Sequence, residues 1–212
     1  MFAVGHLSLG YLFGKATSKM LKTRVNIPLL FSLSVLPDID LLIPGLKHRG
    51  PTHSIILFIL LFIPFFTFYR KKATPYFVTL IQHSFLSDFI TGEGAQLLWP
   101  FTPNFYSVQT ILGIQIKMTS LTNIMMEWVS FLLFLAVMLG TKDVKTFFHP
   151  RLSNLLLSIP VFTTLLPTFL KIPTYVPLEL MAPHLAYITL FTISILMTLS
   201  TEQGQGTSRE LR

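Results

Sequence analysis

The stretch that most constrains the fold of this chain is the apolar run over residues 121–140, which holds a single charged side chain, Glu127. A helix needs about 20 predominantly apolar residues to cross the hydrocarbon core of a bilayer, and this run has that length. Two later runs, over residues 153–170 and 183–200, are apolar over a similar length. Such runs predict transmembrane helices.

The low content of charged residues supports a membrane protein. Only 12% of the 212 residues are charged, whereas soluble domains carry about 25%. Further hydrophobic segments cover residues 27–44, 53–69 and 75–99, and a shorter one covers 2–14. We predict an all-α fold, an integral membrane helical bundle with about five to six hydrophobic helices and a short N-terminal helix. Residues 1–200 form one membrane-embedded domain in this prediction, and residues 201–212 form a disordered polar tail.

The basic residues are unevenly distributed along the chain. Twelve of the 16 lysines and arginines lie in segments 15–24, 70–72 and 141–151 and in the C-terminal tail. Cytoplasmic loops carry such an excess, so we predict a multi-pass protein of the cell membrane with a cytoplasmic C-terminus. The clustering beside hydrophobic segments also accounts for the net charge of +7 and disfavours nucleic acid as a partner.

Ionisable residues within the hydrophobic segments are costly in a bilayer and therefore mark candidate functional sites. With no cysteine in the chain, a metal site would need histidine and carboxylate ligands, which suit zinc, manganese or iron. The predicted orientation places all of these candidates in the outer half of the membrane. They are His6, Asp38, Asp40, His53, His83, Asp88, Glu93 and Glu127.

Asp38 and Asp40 follow Pro37, which disturbs a helix. Two carboxylates this close repel each other, and a divalent cation offsets that repulsion. An equally simple interpretation is a surface turn in which an aspartate caps a following helix. His53 begins the next hydrophobic segment and should lie at the same depth as the aspartates.

His83 and Asp88 lie in one helical segment but are five residues apart. A regular helix separates them by about 140° around its axis, so it would not direct both to one ion. A π-bulge, which is frequent at functional sites, would bring them closer.

Four motifs resemble the YdjM-like family of membrane-bound proteins, which are predicted metal-dependent hydrolases, some of them regulated by LexA. The motifs are GH at 5–6, LPDID at 36–40, HRGPTHS at 48–54 and HSFLSDFITGEGAQLLWPF at 83–101. Family members usually have the histidine four residues before the aspartate, a position that Ser84 holds here. A fainter similarity links the pattern to zinc-dependent phospholipase C, an all-helical enzyme.

The resemblance implies a divalent metal ion, zinc first and manganese second, held by His6, Asp38, Asp40, His53, His83 and Asp88. His48, Arg49 and Thr52 match the same block of the family pattern. In this interpretation an ion activates water, Asp40 or Glu127 acts as general base, and His48 and Arg49 bind an anionic group. Lipid or phosphoester substrates would suit a site at the membrane.

Two other functions fit parts of the sequence. A cation or proton transporter would use the same Asp and His residues as a pathway, but it would spread polar groups across the whole membrane. A non-catalytic structural protein would use those residues only to pair helices with one another.

Overall fold

The computed structural model describes residues 1–170 and 175–210, with side chains as far as residue 203. Helices account for 74% of the structure, and the described residues contain no β-strand. The helices in chain order are α1 (Ala3–Met20), α2 (Ile27–Val35), α3 (Ile55–Tyr69), α4 (Thr74–Gln82), α5 (Val108–Leu112), α6 (Leu121–Gly140), α7 (Leu152–Phe169) and α8 (Met181–Glu210).

Irregular helical turns connect these elements near the polar residues. The 3-10 turns Leu36–Leu42 and Pro51–His53 lie at the two ends of the connection between α2 and α3. Helix α4 continues directly as a π-helix over His83–Asp88. Helix α7 is itself a succession of 3-10, α and π turns.

Within the described ranges, three helices are long and apolar enough to cross a membrane. They are Leu121–Gly140, Leu152–Phe169 and Leu178–Gln203, and only 33%, 39% and 33% of their apolar windows are buried inside the protein. The remaining side chains face outward, where lipid contact accounts for their apolar character. The predicted spans at 121–140, 153–170 and 183–200 coincide with these helices, which confirms the all-α membrane bundle.

Helix α1 is longer than the apolar run that predicted it. It continues through the basic segment to Met20, and its 18 residues reach about 27 Å. It lies at the centre of the bundle, because it packs against α2, α4, α6 and α8. Lys15 lies within the helix, and its ammonium group reaches Asp143 at 2.6 Å.

Two glycines let α2 and α4 approach α1 closely. A Cβ atom at Gly10 would collide with Ser34 of α2, and one at Gly14 would collide with Thr79 of α4. The hydroxyl of Thr79 also donates a hydrogen bond to the carbonyl oxygen of Gly10 at 3.0 Å. Small residues spaced four apart allow such close packing of membrane helices. The contact brings the segments that follow α2 and α4 together at one end of the bundle.

A buried aromatic cluster joins α1, α2, α6 and α8. The ring of Phe31 lies 5.0 Å from Phe191, 5.8 Å from Tyr11 and 5.8 Å from Phe134, measured between centroids. Aromatic pairs in such stacked, tilted or edge-on arrangements add about 0.5–1.5 kcal/mol each beyond the area they bury. The cluster therefore fixes the four helices relative to one another.

Three of the predicted cytoplasmic segments meet at the same end of the bundle. Lys15 and Tyr11 both bind Asp143, the latter at 2.7 Å, and the backbone N–H of Asn26 donates to the hydroxyl of Tyr76 at 2.8 Å. The 3-10 turns Leu36–Leu42 and Pro51–His53 and the π-helix His83–Asp88 lie at the other end. This arrangement agrees with the prediction that the basic segments lie at one end of the bundle and the polar candidates at the other. Which end faces the cytoplasm stays a prediction.

The division into a domain over residues 1–200 and a disordered tail over 201–212 also stays a prediction. Helix α8 is described as far as Glu210, and residues 211–212 lie outside the described residues.

A cysteine-labelling experiment tests the orientation, because the natural chain has no cysteine to remove. We expect Leu46→Cys, at an exposed site between α2 and α3, to react with a membrane-impermeant maleimide in intact cells. Lys71→Cys, at an exposed site after α3, should react only after permeabilisation. The reverse pattern would overturn the predicted topology.

Candidate metal centre

Two short turns place an aspartate and a histidine at the same end of the bundle. Asp38 lies in the 3-10 turn that follows α2, and His53 ends the 3-10 turn that precedes α3. Ser54 then caps α3 by accepting a hydrogen bond from the backbone N–H of Leu57 at 3.3 Å. Both Asp38 and His53 are buried.

The π-helix brings His83 and Asp88 to one face. Its wider turn places residues five apart above one another, and His83 Nε2 lies 3.3 Å from Asp88 Oδ2. Ser84, which holds the position usual for the family histidine, is buried, and its hydroxyl has no hydrogen-bond partner among the described residues. The π-helix therefore brings His83 and Asp88 together in spite of their five-residue spacing.

Four ligand atoms from these residues form a compact group. His53 Nε2 lies 3.4 Å from Asp38 Oδ1, 3.3 Å from Asp88 Oδ2 and 3.2 Å from His83 Nε2. His83 Nε2 lies 3.3 Å from both carboxylate oxygens. Ligands about 2.0–2.1 Å from a tetrahedral zinc ion would be separated by about 3.3–3.4 Å. The three separations among His53 Nε2, His83 Nε2 and Asp88 Oδ2 therefore match those of three ligands of a tetrahedral site, which leaves the fourth position open.

The proton on His83 can be assigned from its partner. His83 Nδ1 lies 2.7 Å from the carbonyl oxygen of Ser34, which can only accept a hydrogen bond. Nδ1 must therefore carry the proton, and in the neutral ring Nε2 presents a lone pair to the centre. Fixing the ring through its second nitrogen is the usual arrangement for a metal-ligating histidine.

A relay through Thr52 fixes the proton of His53 in the same way. The hydroxyl of Thr52 donates to Asp40 Oδ2 at 2.8 Å, so its oxygen accepts the hydrogen bond from His53 Nδ1 at 3.1 Å. His53 Nε2 is then also a lone pair directed at the centre. Thr52 belonged to a sequence motif, but its function as a hydrogen-bond relay could not be read from the motif.

Four electron-rich atoms thus converge in a buried space. Asp88 Oδ2 has no hydrogen-bond partner among the described residues, and Asp88 and both histidines are almost fully buried. Burial without a compensating partner costs such groups several kcal/mol. A cation would remove this cost directly, so the cluster could hold a metal ion.

His6 extends the cluster on the α1 side. Its ring stacks on His83 with the centroids 3.9 Å apart, and its Nε2 lies 3.7 Å from Asp88 Oδ1. His6, Asp38 and His83 form a second group of ligand atoms close enough to share an ion, and Asp38, His48 and His53 form a third.

Asp40, predicted as a ligand or general base, lies behind His53. It accepts hydrogen bonds from Thr52, from His48 Nδ1 at 3.0 Å and from the backbone N–H of Arg49 at 3.1 Å. Burial alone would raise the pKa of Asp40, but the hydrogen bond from His48 and the nearby imidazole of His53 outweigh it and hold the pKa below its usual range. Asp40 is therefore placed to orient histidines as a carboxylate anion.

Arg49, predicted to bind an anionic group, is largely occupied by the protein. Its guanidinium lies 2.9 Å from Asp88 Oδ1 and donates to the carbonyl oxygen of Thr91 at 3.2 Å. Gly92 leaves room for it, because a Cβ atom there would come within 2.5 Å of the guanidinium. Arg49 thus neutralises one oxygen of Asp88 and leaves the other facing the centre.

Glu127, the second predicted general base, is engaged elsewhere. Its two carboxylate oxygens accept hydrogen bonds from the backbone N–H groups of Phe2 and Gly5, each at 2.5 Å. A carboxylate in this position stabilises the start of α1 through the helix dipole. Neither Glu127 nor the exposed Glu93 belongs to the metal-binding groups found among the described residues.

A cavity of about 780 Å³ opens beside the cluster. Asp38, Asp88 and His6 line it, together with His48, whose side chain is 35% exposed. This access would let a substrate reach the buried side chains. The connection preceding α6 and the threonines of α7 close the cavity on its other sides.

Comparison with known proteins agrees with the motifs. The family model described as YdjM inner membrane protein matches residues 1–170, a range that contains every residue of the cluster. The chain matched none of the curated proteins and none of the solved structures with which it was compared.

Removing a ligand should remove bound metal. We expect the purified protein to carry zinc or manganese by elemental analysis, and Asp38→Ala or His53→Ala to lose it. His149→Ala is the matched control, because His149 is exposed near the opposite end of the bundle. Full metal content in both ligand variants would exclude those residues from the site.

Asp40→Asn should weaken metal binding without abolishing it. The amide cannot hold His53 and Thr52 as the carboxylate does, and loss of such an outer partner typically lowers metal affinity by about 10–100-fold. Competition with a chelator measures this affinity. Complete loss of the metal would instead support Asp40 as a direct ligand.

Proposed function

The chain belongs to the YdjM inner membrane protein family, and we propose that it is a membrane-bound, metal-dependent hydrolase that cleaves phosphate esters. The observation that carries this proposal is the spacing of His53 Nε2, His83 Nε2 and Asp88 Oδ2, whose separations of 3.2–3.3 Å match those of three ligands of a tetrahedral ion. Such a group beside a cavity is the arrangement that hydrolytic metal sites need.

Zinc is the ion that best suits this group. Two imidazole nitrogens and one carboxylate oxygen without a thiolate suit zinc, with manganese as the next choice. A zinc ion supplies two effects when bound: it lowers the pKa of water towards about 7 and polarises a phosphoryl oxygen. His53, His83 and Asp88 would hold it and leave one position open for water, while Asp38 belongs to the two other groups that could hold an ion.

His48 is the residue best placed to move a proton. Its Nδ1 donates to Asp40 Oδ1 at 3.0 Å, so its Nε2 is free, and the ring lines the cavity. A carboxylate that orients an imidazole in this way keeps the correct tautomer for general acid–base catalysis. In the proposed reaction His48 accepts a proton from the attacking water and returns it to the departing alkoxide.

The bonds exchanged are those of ordinary ester hydrolysis. The water oxygen forms a bond to phosphorus while the bond between phosphorus and the ester oxygen breaks, and the products are an alcohol and a phosphate. Arg49 takes no proton in this scheme. Its pairing with Asp88 Oδ1 at 2.9 Å holds that carboxylate in position.

A hydrolysis assay tests the proposal. We expect the zinc-loaded protein in detergent to hydrolyse p-nitrophenyl phosphate, and His48→Gln to lower kcat by roughly 100-fold because it removes general acid–base catalysis. Its metal content should stay unchanged. His149→Gln should match the natural protein.

His53→Ala, prepared in the same way, measures hydrolysis by contaminating enzymes. Equal activity in the natural protein and His53→Ala would refute the hydrolase. Cation flux through liposomes without any hydrolytic product would favour the transport alternative.

A further inference from the structure

The cavity is lined by both polar and apolar side chains. The cluster residues and His48 contribute polar groups, whereas Phe2, Leu41, Phe105 and Met118 contribute apolar side chains. A water-soluble phosphate ester would leave these apolar side chains without a partner. A substrate with an alkyl chain beside its phosphate would contact both the polar and the apolar side chains.

The charged side chains that line the cavity favour an anion once a metal ion is present. Three carboxylates line it, those of Asp38, Asp88 and Glu93, and three cationic side chains do so, those of Lys47, Arg49 and Lys117. The charges balance without a metal, so a divalent ion would leave two net positive charges. Arg49 is held by Asp88, which makes Lys47 and Lys117 the cations available to a ligand.

Lys47 is held at the cavity in a defined position. Its ammonium group lies 4.2 Å from the centroid of the Phe105 ring, within the range of a cation–π interaction. This contact joins the connection after α2 to the connection before α5, both of which line the cavity. Lys117 lies on the connection between α5 and α6 and has an exposed side chain.

The two connections that frame the cavity also expose apolar side chains. Leu42 and Ile43 are 49% and 44% exposed on the connection after α2, and Ile111 and Leu112 of α5 and Ile114 after it are 61%, 66% and 57% exposed. Contiguous apolar side chains of this size are unfavourable in water. They suit the interfacial region of a bilayer, where the alkyl chains of lipids are within reach.

We propose that the cavity binds a phosphate ester of an alkyl chain, an amphiphile drawn from the membrane, with Lys47 and Lys117 contacting the phosphate. This inference rests on the proposed hydrolase and specifies its substrate class. The alkyl chain would lie against Phe2, Leu41, Phe105 and Met118. The phosphate would lie between the two lysines and the His/Asp cluster, within reach of His48.

Binding of a chain-length series tests the substrate class separately from catalysis. Titration calorimetry of the zinc-loaded full chain in detergent would compare methyl, butyl and octyl phosphate. Each CH₂ group that is buried should tighten binding by about fourfold, the equivalent of about 0.8 kcal/mol. Octyl phosphate should therefore bind far more tightly than methyl phosphate. Equal affinities would overturn the alkyl part of the proposal and point to a free phosphate or a soluble ester.

Substitution of the lysines tests the phosphate contact. Lys47→Gln combined with Lys117→Gln should weaken octyl phosphate binding by at least about tenfold, the equivalent of about 1.4 kcal/mol, with metal content unchanged. Lys142→Gln combined with Lys145→Gln is the matched control, because these exposed lysines lie at the opposite end. Unchanged affinity in the Lys47 and Lys117 variant would exclude those residues from binding.

The two proposals fail in different ways. Hydrolysis of p-nitrophenyl phosphate without a preference for longer alkyl phosphates would leave the hydrolase standing and overturn the amphiphilic substrate. Tight, lysine-dependent binding of octyl phosphate without hydrolysis would overturn the hydrolase and support an amphiphile-binding site.

Discussion

The burial of carboxylates and imidazoles at one end of a hydrophobic bundle is the constraint on which the rest of this structure depends. Asp38 and Asp88 each lie 3.3–3.4 Å from both His53 and His83, and all four side chains are buried. The surrounding chain is organised for this contact. Glycines of α1 admit α2 and α4, the aromatic cluster fixes the helices, and irregular turns direct the side chains inward.

Much of this arrangement could be predicted from the sequence. The apolar runs gave the all-α membrane class and the positions of the later helices, because bilayer thickness imposes a length that composition reveals. The motifs indicated which polar residues to consider. The unusual spacing of His83 and Asp88 could be reconciled with one site only through a π turn, and the structure has that turn.

The functions of individual polar residues were harder to predict, because they depend on which partner each residue finds in three dimensions. Asp40 and Asp38 are two positions apart, yet one lies behind His53 and the other faces the centre. Arg49 and Glu127 each meet a buried partner, a carboxylate for the former and backbone N–H groups for the latter. Sequence spacing alone carries no information about these long-range pairings. The length of α1 could not be predicted either, because Lys15 interrupts the apolar pattern of the sequence but does not end the helix.

The π-helix has a consequence for how the protein assembles. A π turn is rare in helices and is frequent at functional sites, so its surroundings must hold His83 and Asp88 in place. An ion that binds only the finished arrangement would supply part of that support through thermodynamic linkage. Chelation would then loosen this end of the bundle first, while the aromatic cluster kept the helices together. The stability of this end of the bundle would thus depend on whether the ion is bound.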